Sequence, residues 1–455
     1  MGQARCPALL LAAPASGQGK TTITAALARL LTRRGQRVRV FKCGPDFLDP
    51  HWHALASEGP VYQLDLWING EADCRQRLHA AAQEADVILI EGVMGLFDGE
   101  PSAADLAQRL GVPVLAVIDA SAMAGTFGAL AYGLRHYRAN LPWAGVLANR
   151  VGSARHAEML QAGLRDPRDW MGAVMRVAMQ SATAVPEAKA AAALLPERHL
   201  GLVAAHELPD ALQRLDAAAD ALAATPLGQL TPEQWERFAV DFPAQDLPPT
   251  PRLLEGRTVA IARDAAFCFL YAANLDTLQA MGARLAFFSP LAGDRLPVCD
   301  ALWLPGGYPE LHGARLRANA ALRADMDAHM AAGKPVWAEC GGMMALMESV
   351  TRADGQTEAL WGLLPGQVTM QRRLAALGPQ QLDWQGQVLR GHTFHYSTTV
   401  SPLSVVARTA RPGQPAQAEA GEALYRHGSV HASYFHPWFA SNPGLVARWM
   451  GGEVA

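Results

Sequence analysis

Two stretches of this 455-residue chain carry residue types that do covalent chemistry. In "PVWAECGGM", residues 335–343, an apolar strand pattern runs into Cys340 and a glycine pair. A cysteine on a sharp strand-to-helix turn projects its thiol, and the backbone N–H groups around it, here that of Gly341, are placed to stabilise an oxyanion. The thiolate is the attacking form, so the turn calls for a histidine base and a helix N-terminus to lower the thiol pKa. "SVHASYFHPWF", residues 429–439, supplies His431 and His436, and His436, just before Pro437, is the expected base. "LPGGYPE", residues 304–310, sets Gly306 and Gly307 at another strand end, suited to a second oxyanion amide or to holding the substrate. Together these point to acyl transfer through Cys340.

The second stretch is "APASGQGKTT", residues 13–22. Between a strand and a helix, such a loop lets backbone N–H groups close around phosphate. Ser16, Gly17, Gly19, Lys20, Thr21 and Thr22 are its expected ATP-binding residues, with Lys20 on the β- and γ-phosphates and the Thr21 hydroxyl on Mg²⁺. Pro14 stands where the usual leading glycine would be. "DVILIEGVMGLFDG", residues 86–99, ends an apolar strand in Glu91, a metal- or water-holding acid by position. "KCGPDFLDPHWH", residues 42–53, adds Lys42, Asp46 and Asp49, a set that suggests a metal bridge through Asp46 and an acyl-acceptor pocket. A Pro-Asp turn is the plainer reading of the two aspartates. His51 and His53, without further ligands, read as surface residues. Asn149, ending "GVLAN", fits either the adenine edge or a turn.

These residues need a scaffold that presents strand ends. Continuous apolar runs ("PALLLAA", "RVRVFKCG", "DVILIEG", "PVLAVIDA", "WAGVLANRV", "LGLVAAHEL") alternate with helical segments, the pattern of a parallel sheet covered on both faces. After the proline-rich "FPAQDLPPTPRLLEG", residues 242–256, a second series follows: "TVAIARD", "RLAFFSP", "ALWLPGG" and "PVWAEC". The expected organisation is an α/β P-loop domain over residues 1–241, a linker over 242–256 and a second α/β domain over 257–455. Lys+Arg numbers 39 against 42 Asp+Glu, a formal net charge of −3, so nothing in the charge balance recommends nucleic acid. Six dispersed cysteines with no C-x-x-C pair argue against a zinc site or a disulfide framework, and reduced thiols in the cytoplasm are the expectation. The apolar N-terminal run lacks the features of a signal peptide, and no apolar run is long enough to span a bilayer.

"AECGGM", "LPGGYPE" and the late histidine resemble a class I glutamine amidotransferase domain, in which the cysteine forms a γ-glutamyl thioester and releases ammonia. Many such domains carry Glu two residues after the histidine, where this chain has Trp438. The amino half, through "PASGQGKTT", "FKCGPDFLDP", "LDLW", "EGVMGLFDG" and "GVLANRV", resembles the dethiobiotin-synthetase-like ATPases. In this order the two halves resemble the cobyrinic acid a,c-diamide synthases over essentially the whole chain, with "GPDFLDP", "EGVMGLFDG" and "RGHTFHYS" the most specific stretches, and most of all the branch acting on hydrogenobyrinic acid. The resemblance implies ATP- and glutamine-dependent amidation of the a and c acetates of the corrin ring through an acyl phosphate. It also implies Mg²⁺, a corrinoid substrate near Lys42, Asp46, Asp49, Asp65 and Asp98, and a homodimer. The same reaction on cobyrinic acid or another tetrapyrrole is the near alternative. A partition-type switch ATPase is the distant one, disfavoured by Ala15 at its signature-lysine position and by the second half of the chain.

Overall fold

The computed structural model describes residues 3–176, 197–198, 201–202, 205–415 and 420–451. The chain separates into two units, Met1–Leu247 and Pro248–Ala455. In the first, β1 (Gln3–Ala12), β2 (Val38–Cys43), β3 (Tyr62–Leu64), β4 (Val87–Glu91), β5 (Val114–Asp119), β6 (Trp143–Val151) and β7 (Trp170–Met175) lie in the order β3-β2-β4-β1-β5-β6-β7. All these neighbours are parallel. β8 (Ala239–Pro243) pairs antiparallel with the first half of β1, so Phe242 and Pro243 of the proline-rich segment join the sheet.

The apolar runs are continuous because each strand feeds two cores. In β1, Ala8, Leu10 and Ala12 face one hydrophobic cluster while Leu9 and Leu11 face the other. Helix α1 (Lys20–Arg33) covers the second with Ile23, Leu27 and Leu31, spaced four residues apart on one face, and α2 (Asp49–Ser57) adds Trp52 and Ala56. β3, β7 and β8 were not expected from the sequence. Of the expected run at 200–208, part lies outside the described residues, and Ala205–Glu207 form a 3-10 turn.

The second unit contains β9 (Thr258–Ala262), β10 (Arg284–Phe288), β11 (Ala301–Leu304), β12 (Val336–Glu339), α3 (Gly341–Leu346), β13 (Ala376–Trp384), β14 (Gln387–His395), β15 (Ser404–Ala410), β16 (Ala423–His427), β17 (Val430–Ser433) and β18 (His436–Pro437). Ten strands run in the order β10-β9-β11-β12-β17-β16-β15-β13-β14-β18. The first five are mutually parallel and the rest antiparallel. The four runs expected here are the parallel strands β9 to β12. Alternation again splits them, with Leu302, Leu304, Val336 and Ala338 in one core and Ala301, Trp303 and Trp337 in the other. All six cysteines are free and buried. Among the described residues no helix is long and apolar enough to cross a membrane.

Leu11 is fully buried two positions before the phosphate loop. Leu11→Ala is expected to cost about 2–5 kcal/mol, the usual range for a buried leucine truncation, read as a lowered midpoint in chemical denaturation.

Candidate active sites

Three adjacent strand ends build the first site. Lys42 is the register partner of Glu91 across β2 and β4, and Glu91 is the partner of Leu11 across β4 and β1. The sheet therefore delivers Lys42 and Glu91 beside the loop that follows β1. That loop turns at Gly19, whose φ of 92° an L side chain adopts only with strain, and Lys20 opens α1 directly behind it. Lys42 Nζ lies 2.6 Å from Asp49 Oδ2, 3.1 Å from Glu91 Oε1 and 3.6 Å from Asp46 Oδ2. Thr21 Oγ1 donates to Glu91 Oε1 at 2.7 Å and to Asp49 Oδ2 at 3.3 Å.

The electrostatics follow from this crowding. Burial alone would lower the Lys42 pKa, yet Asp49 and Glu91 hold it well above the usual lysine value. Burial likewise opposes ionisation of Glu91, but Lys42 and then His53 keep its carboxyl below the ordinary range. Burial and the neighbouring Asp49 push Asp46 up. Burial lowers Lys20, whose Nζ donates to the Met94 carbonyl at 2.6 Å and the Ala15 carbonyl at 3.4 Å.

His53 corrects the sequence reading. Expected at the surface, it is completely buried and its Nε2 is hydrogen-bonded to Glu91 Oε2. The signal was its place four residues after Asp49 on α2, which puts both on one helix face. His51 is half-buried. Ser16 and Gly17 are exposed at the loop crest, and Thr22 is half-buried in the first turn of α1. Asn149 is turned onto the loop, its Nδ2 donating to the Gln18 carbonyl at 2.9 Å while its Oδ1 accepts from the Arg150 N–H at 3.0 Å. Asp98 accepts from the Gly95 N–H at 2.9 Å, in the same loop that offers Met94 to Lys20. Asp65 caps the turn after β3 instead, accepting from the Trp67 and Ile68 N–H groups at 2.8 Å. Asp46 Oδ1 also accepts from backbone, at Leu48 and Asp49. Among the described residues no group of three or more His, Cys, Asp or Glu is arranged to hold a metal ion. Mg²⁺ keeps several waters and phosphate oxygens and takes only one or two protein oxygens, so the Thr21 hydroxyl and the ionised Glu91 fit such an ion without a cage.

In the second unit, β12 ends at Glu339 and the chain turns through Cys340 at φ 43°, ψ −105°, an unfavourable backbone for a non-glycine residue. Its N–H donates to the Ser433 carbonyl at 2.7 Å, which ties the turn to the end of β17, three residues before His436. Glycines fill the space between. A Cβ added to Gly341 would sit 2.7 Å from the Gly307 nitrogen, and one on Gly306 would sit 2.6 Å from His436 Cε1. Cys340-Gly341, Gly306-Gly307 and His436 are thus one close-packed cluster. Sequence reasoning asked for a thiol pKa lowered by its surroundings; burial and then Glu310 push Cys340 up instead.

"RGHTFHYS" acquires a place here. His392 pairs with His436 across β14 and β18, their rings stacked 5.0 Å apart, and a side chain at Gly391 would overlap the His436 carbonyl. On the other face of β14, Thr393 and His395 both reach Glu422 Oε1, at 2.8 and 3.0 Å. They border a cavity of about 610 Å³ that Ser397, Glu422 and Tyr434 also line. His431 lies elsewhere, stacked on Trp449.

Sequence reasoning overlooked Glu339. Its Oε2 lies 3.3 Å from His436 Nδ1, while Oε1 accepts from the Trp303 and Trp337 indoles at 3.0 and 2.7 Å. The available signal was a lone acid in an otherwise apolar buried strand, the same signal that exposed Glu91.

Comparison with known proteins matches both units. Residues 9–192 match the CobQ/CobB/MinD/ParA nucleotide binding domain and residues 258–444 the CobB/CobQ-like glutamine amidotransferase domain. A hydrogenobyrinate a,c-diamide synthase of Pseudomonas aeruginosa is 56% identical over 98% of both chains. One of Stutzerimonas stutzeri is 57% identical over 98% of this chain and 99% of its own. A cobyrinate a,c-diamide synthase of Herminiimonas arsenicoxydans is 46% identical over 98% and 97%. The chain belongs to the a,c-diamide synthase family. Its fold class is the one read from sequence, a P-loop parallel-sheet domain followed by a glutamine amidotransferase α/β domain.

Removing Lys42 leaves the buried Glu91 carboxylate without that cation, which costs about 3–5 kcal/mol for a broken buried pair. Lys42→Met is expected to lose that much in urea denaturation at neutral pH.

Proposed function

We propose that this chain is a glutamine-dependent ligase that amidates the a and c acetate carboxylates of hydrogenobyrinic acid at the expense of ATP, in cobalamin biosynthesis. The observation that carries the reading is the packing of the Cys340 turn against Gly306-Gly307 and His436, in a chain that also holds Lys20, Lys42 and Glu91 together at a phosphate loop. The choice of hydrogenobyrinic over cobyrinic acid follows the names of the relatives that share more than half the sequence.

Synthetase chemistry is assigned to residues 1–241 and amidotransferase chemistry to 257–455, with 242–256 joining them. At the first site a substrate carboxylate oxygen attacks the γ-phosphorus, ADP leaves, and an acyl phosphate forms. Lys20 neutralises charge on the phosphates, Ser16 to Thr22 cradle them, and Asn149 braces the loop. The Thr21 hydroxyl and the Glu91 carboxylate would hold Mg²⁺, which would supply further positive charge at the phosphates. Lys42, Asp46, Asp49 and Asp98 border the acceptor, and Asp65 shapes the neighbouring turn. At the second site Cys340 Sγ attacks the side-chain amide carbon of L-glutamine, and His436 takes the thiol proton. A thiol that burial keeps protonated needs this base during attack. His436 returns the proton to the departing nitrogen, ammonia leaves, and water releases glutamate from the thioester. Amides of Gly341 and the Gly306-Gly307 turn receive the oxyanion. The cavity beside Glu422 has room for the amino-acid end of glutamine. Ammonia then displaces phosphate from the acyl phosphate. A cytoplasmic homodimer completes the proposal.

Wild type and Cys340→Ala are to be compared with ATP, Mg²⁺ and either glutamine or ammonia, offering hydrogenobyrinic and cobyrinic acids in parallel. Mass spectrometry should find hydrogenobyrinic acid gaining two amides, with the variant at least about a thousandfold slower on glutamine, as expected for loss of a nucleophile, and near wild type on ammonia. Amidation of cobyrinic acid alone would overturn the substrate. No amidation of either would overturn the reading.

A further inference from the structure

The residue two positions after His436 is Trp438, whose buried indole has no acidic function to offer an imidazole. We propose that Glu339, from the strand that carries the nucleophile, is the carboxylate that positions His436 and stabilises its protonated form. The proposal rests on the reading of Cys340 and His436 given above and deepens it.

The geometry is directional. Trp303 and Trp337 are register partners on β11 and β12, and both indole N–H groups converge on Oε1. That fixes the carboxylate plane and turns Oε2 to His436 Nδ1 at 3.3 Å. With Nδ1–H donating to Oε2, the imidazole presents its other nitrogen, Nε2, as the proton acceptor. Catalytic hydrogen bonds of this kind are often long before substrate binds. Other groups face the same ring without doing this work. His392 stacks on it, and burial followed by the charge of His436 holds His392 far below the usual histidine pKa, so it stays neutral. Phe269 meets it edge-on, with centroids 6.4 Å apart. Burial raises the Glu339 pKa while His436 and the indoles oppose that rise, so a proton arriving on His436 stabilises the ionised glutamate beside it.

A purely structural Glu339 and a positioning Glu339 differ in one ranking. Glutamine is isosteric and its amide oxygen can still accept from both indoles, but its NH₂ would donate to Nδ1 and force the tautomer with the proton on Nε2. Aspartate fits worse yet keeps the charge. Glutamate release from L-glutamine is measured for wild type, Glu339→Gln, Glu339→Asp, His436→Ala and the Glu339→Gln/His436→Ala double variant, with ammonia-dependent amidation checking each preparation. The expected result is a fall in kcat of about a hundredfold or more for Glu339→Gln, with KM for glutamine within about threefold and Glu339→Asp retaining more turnover than Glu339→Gln. In the His436→Ala background, Glu339→Gln should add less than about threefold, since it acts through the ring already removed. Glu339→Gln turning over within about threefold of wild type, Glu339→Gln outperforming Glu339→Asp, or losses that multiply in the double variant would each overturn the role. A wild type that releases no glutamate at all would instead remove the reading of Cys340 on which it stands.

Discussion

A carboxylate taken out of water must be given back its hydrogen bonds and counter-charge, and each unit of this chain is organised around one such group at the end of a parallel strand. Glu91 ends β4 and Glu339 ends β12, both almost without solvent contact. The compensation differs, and that difference separates the two chemistries. Glu91 faces a full cation, Lys42, along with Thr21 and His53, so it stays ionised as a fixed negative charge beside the phosphate loop. Glu339 receives neutral indole donors, and among the described residues the ionisable side chain it pairs with at hydrogen-bond distance is His436. The first carboxylate is a standing feature of a phosphate site. The second has its charge balanced most fully when the neighbouring imidazole carries a proton.

Parallel strands make this possible because their C-terminal ends lie side by side. Register alone brings Lys42, Glu91 and the phosphate loop together, since each strand contributes a residue at its C-terminal end or the loop beyond it. In the second unit the same logic aligns the ends of β11, β12 and β17, so the Gly306-Gly307 turn, the Cys340 turn and the approach to His436 meet. There the approach is close enough that glycine is the residue that fits, which is why these motifs read as glycine pairs. The long antiparallel excursion through β13 to β16 then returns β14 against β18, where His392 stacks on the His436 ring.

Much of this was legible in the residues. Continuous apolar runs identify the central strands because both faces of a doubly covered strand are buried along most of its length. Cys340, Lys42 and Glu91 were legible because they stand at strand ends beside glycines or polar loops, and Lys20 because it follows a glycine-rich loop at the start of a helix. What stayed hidden depended on long-range pairing. Glu339 sits in the stretch that drew attention to Cys340, but its partners Trp303 and His436 come from strands distant in sequence, and no local pattern announces them. His53 looked like an exposed histidine because helix α2 had not been placed; once Asp49 faces Lys42, a residue four positions on must face the same way. β3 was missed because a three-residue edge strand carries too little apolar pattern, whereas the apolar Trp170–Met175 run of β7 was simply not picked out. Asp65, grouped with the acceptor acids, also caps the turn after β3, a role no local pattern announced.

In the proposed reaction one site spends ATP to activate a carboxylate that ammonia from the other site then captures. Its most direct test is oxygen tracing. Hydrogenobyrinic acid labelled with ¹⁸O in its acetate carboxylates is turned over with ATP and glutamine, and the inorganic phosphate is analysed by mass spectrometry. An acyl phosphate predicts one ¹⁸O in one phosphate for each amide formed, with ADP as the other product. Amides formed with unlabelled phosphate, or with AMP and labelled AMP oxygen, would contradict the account.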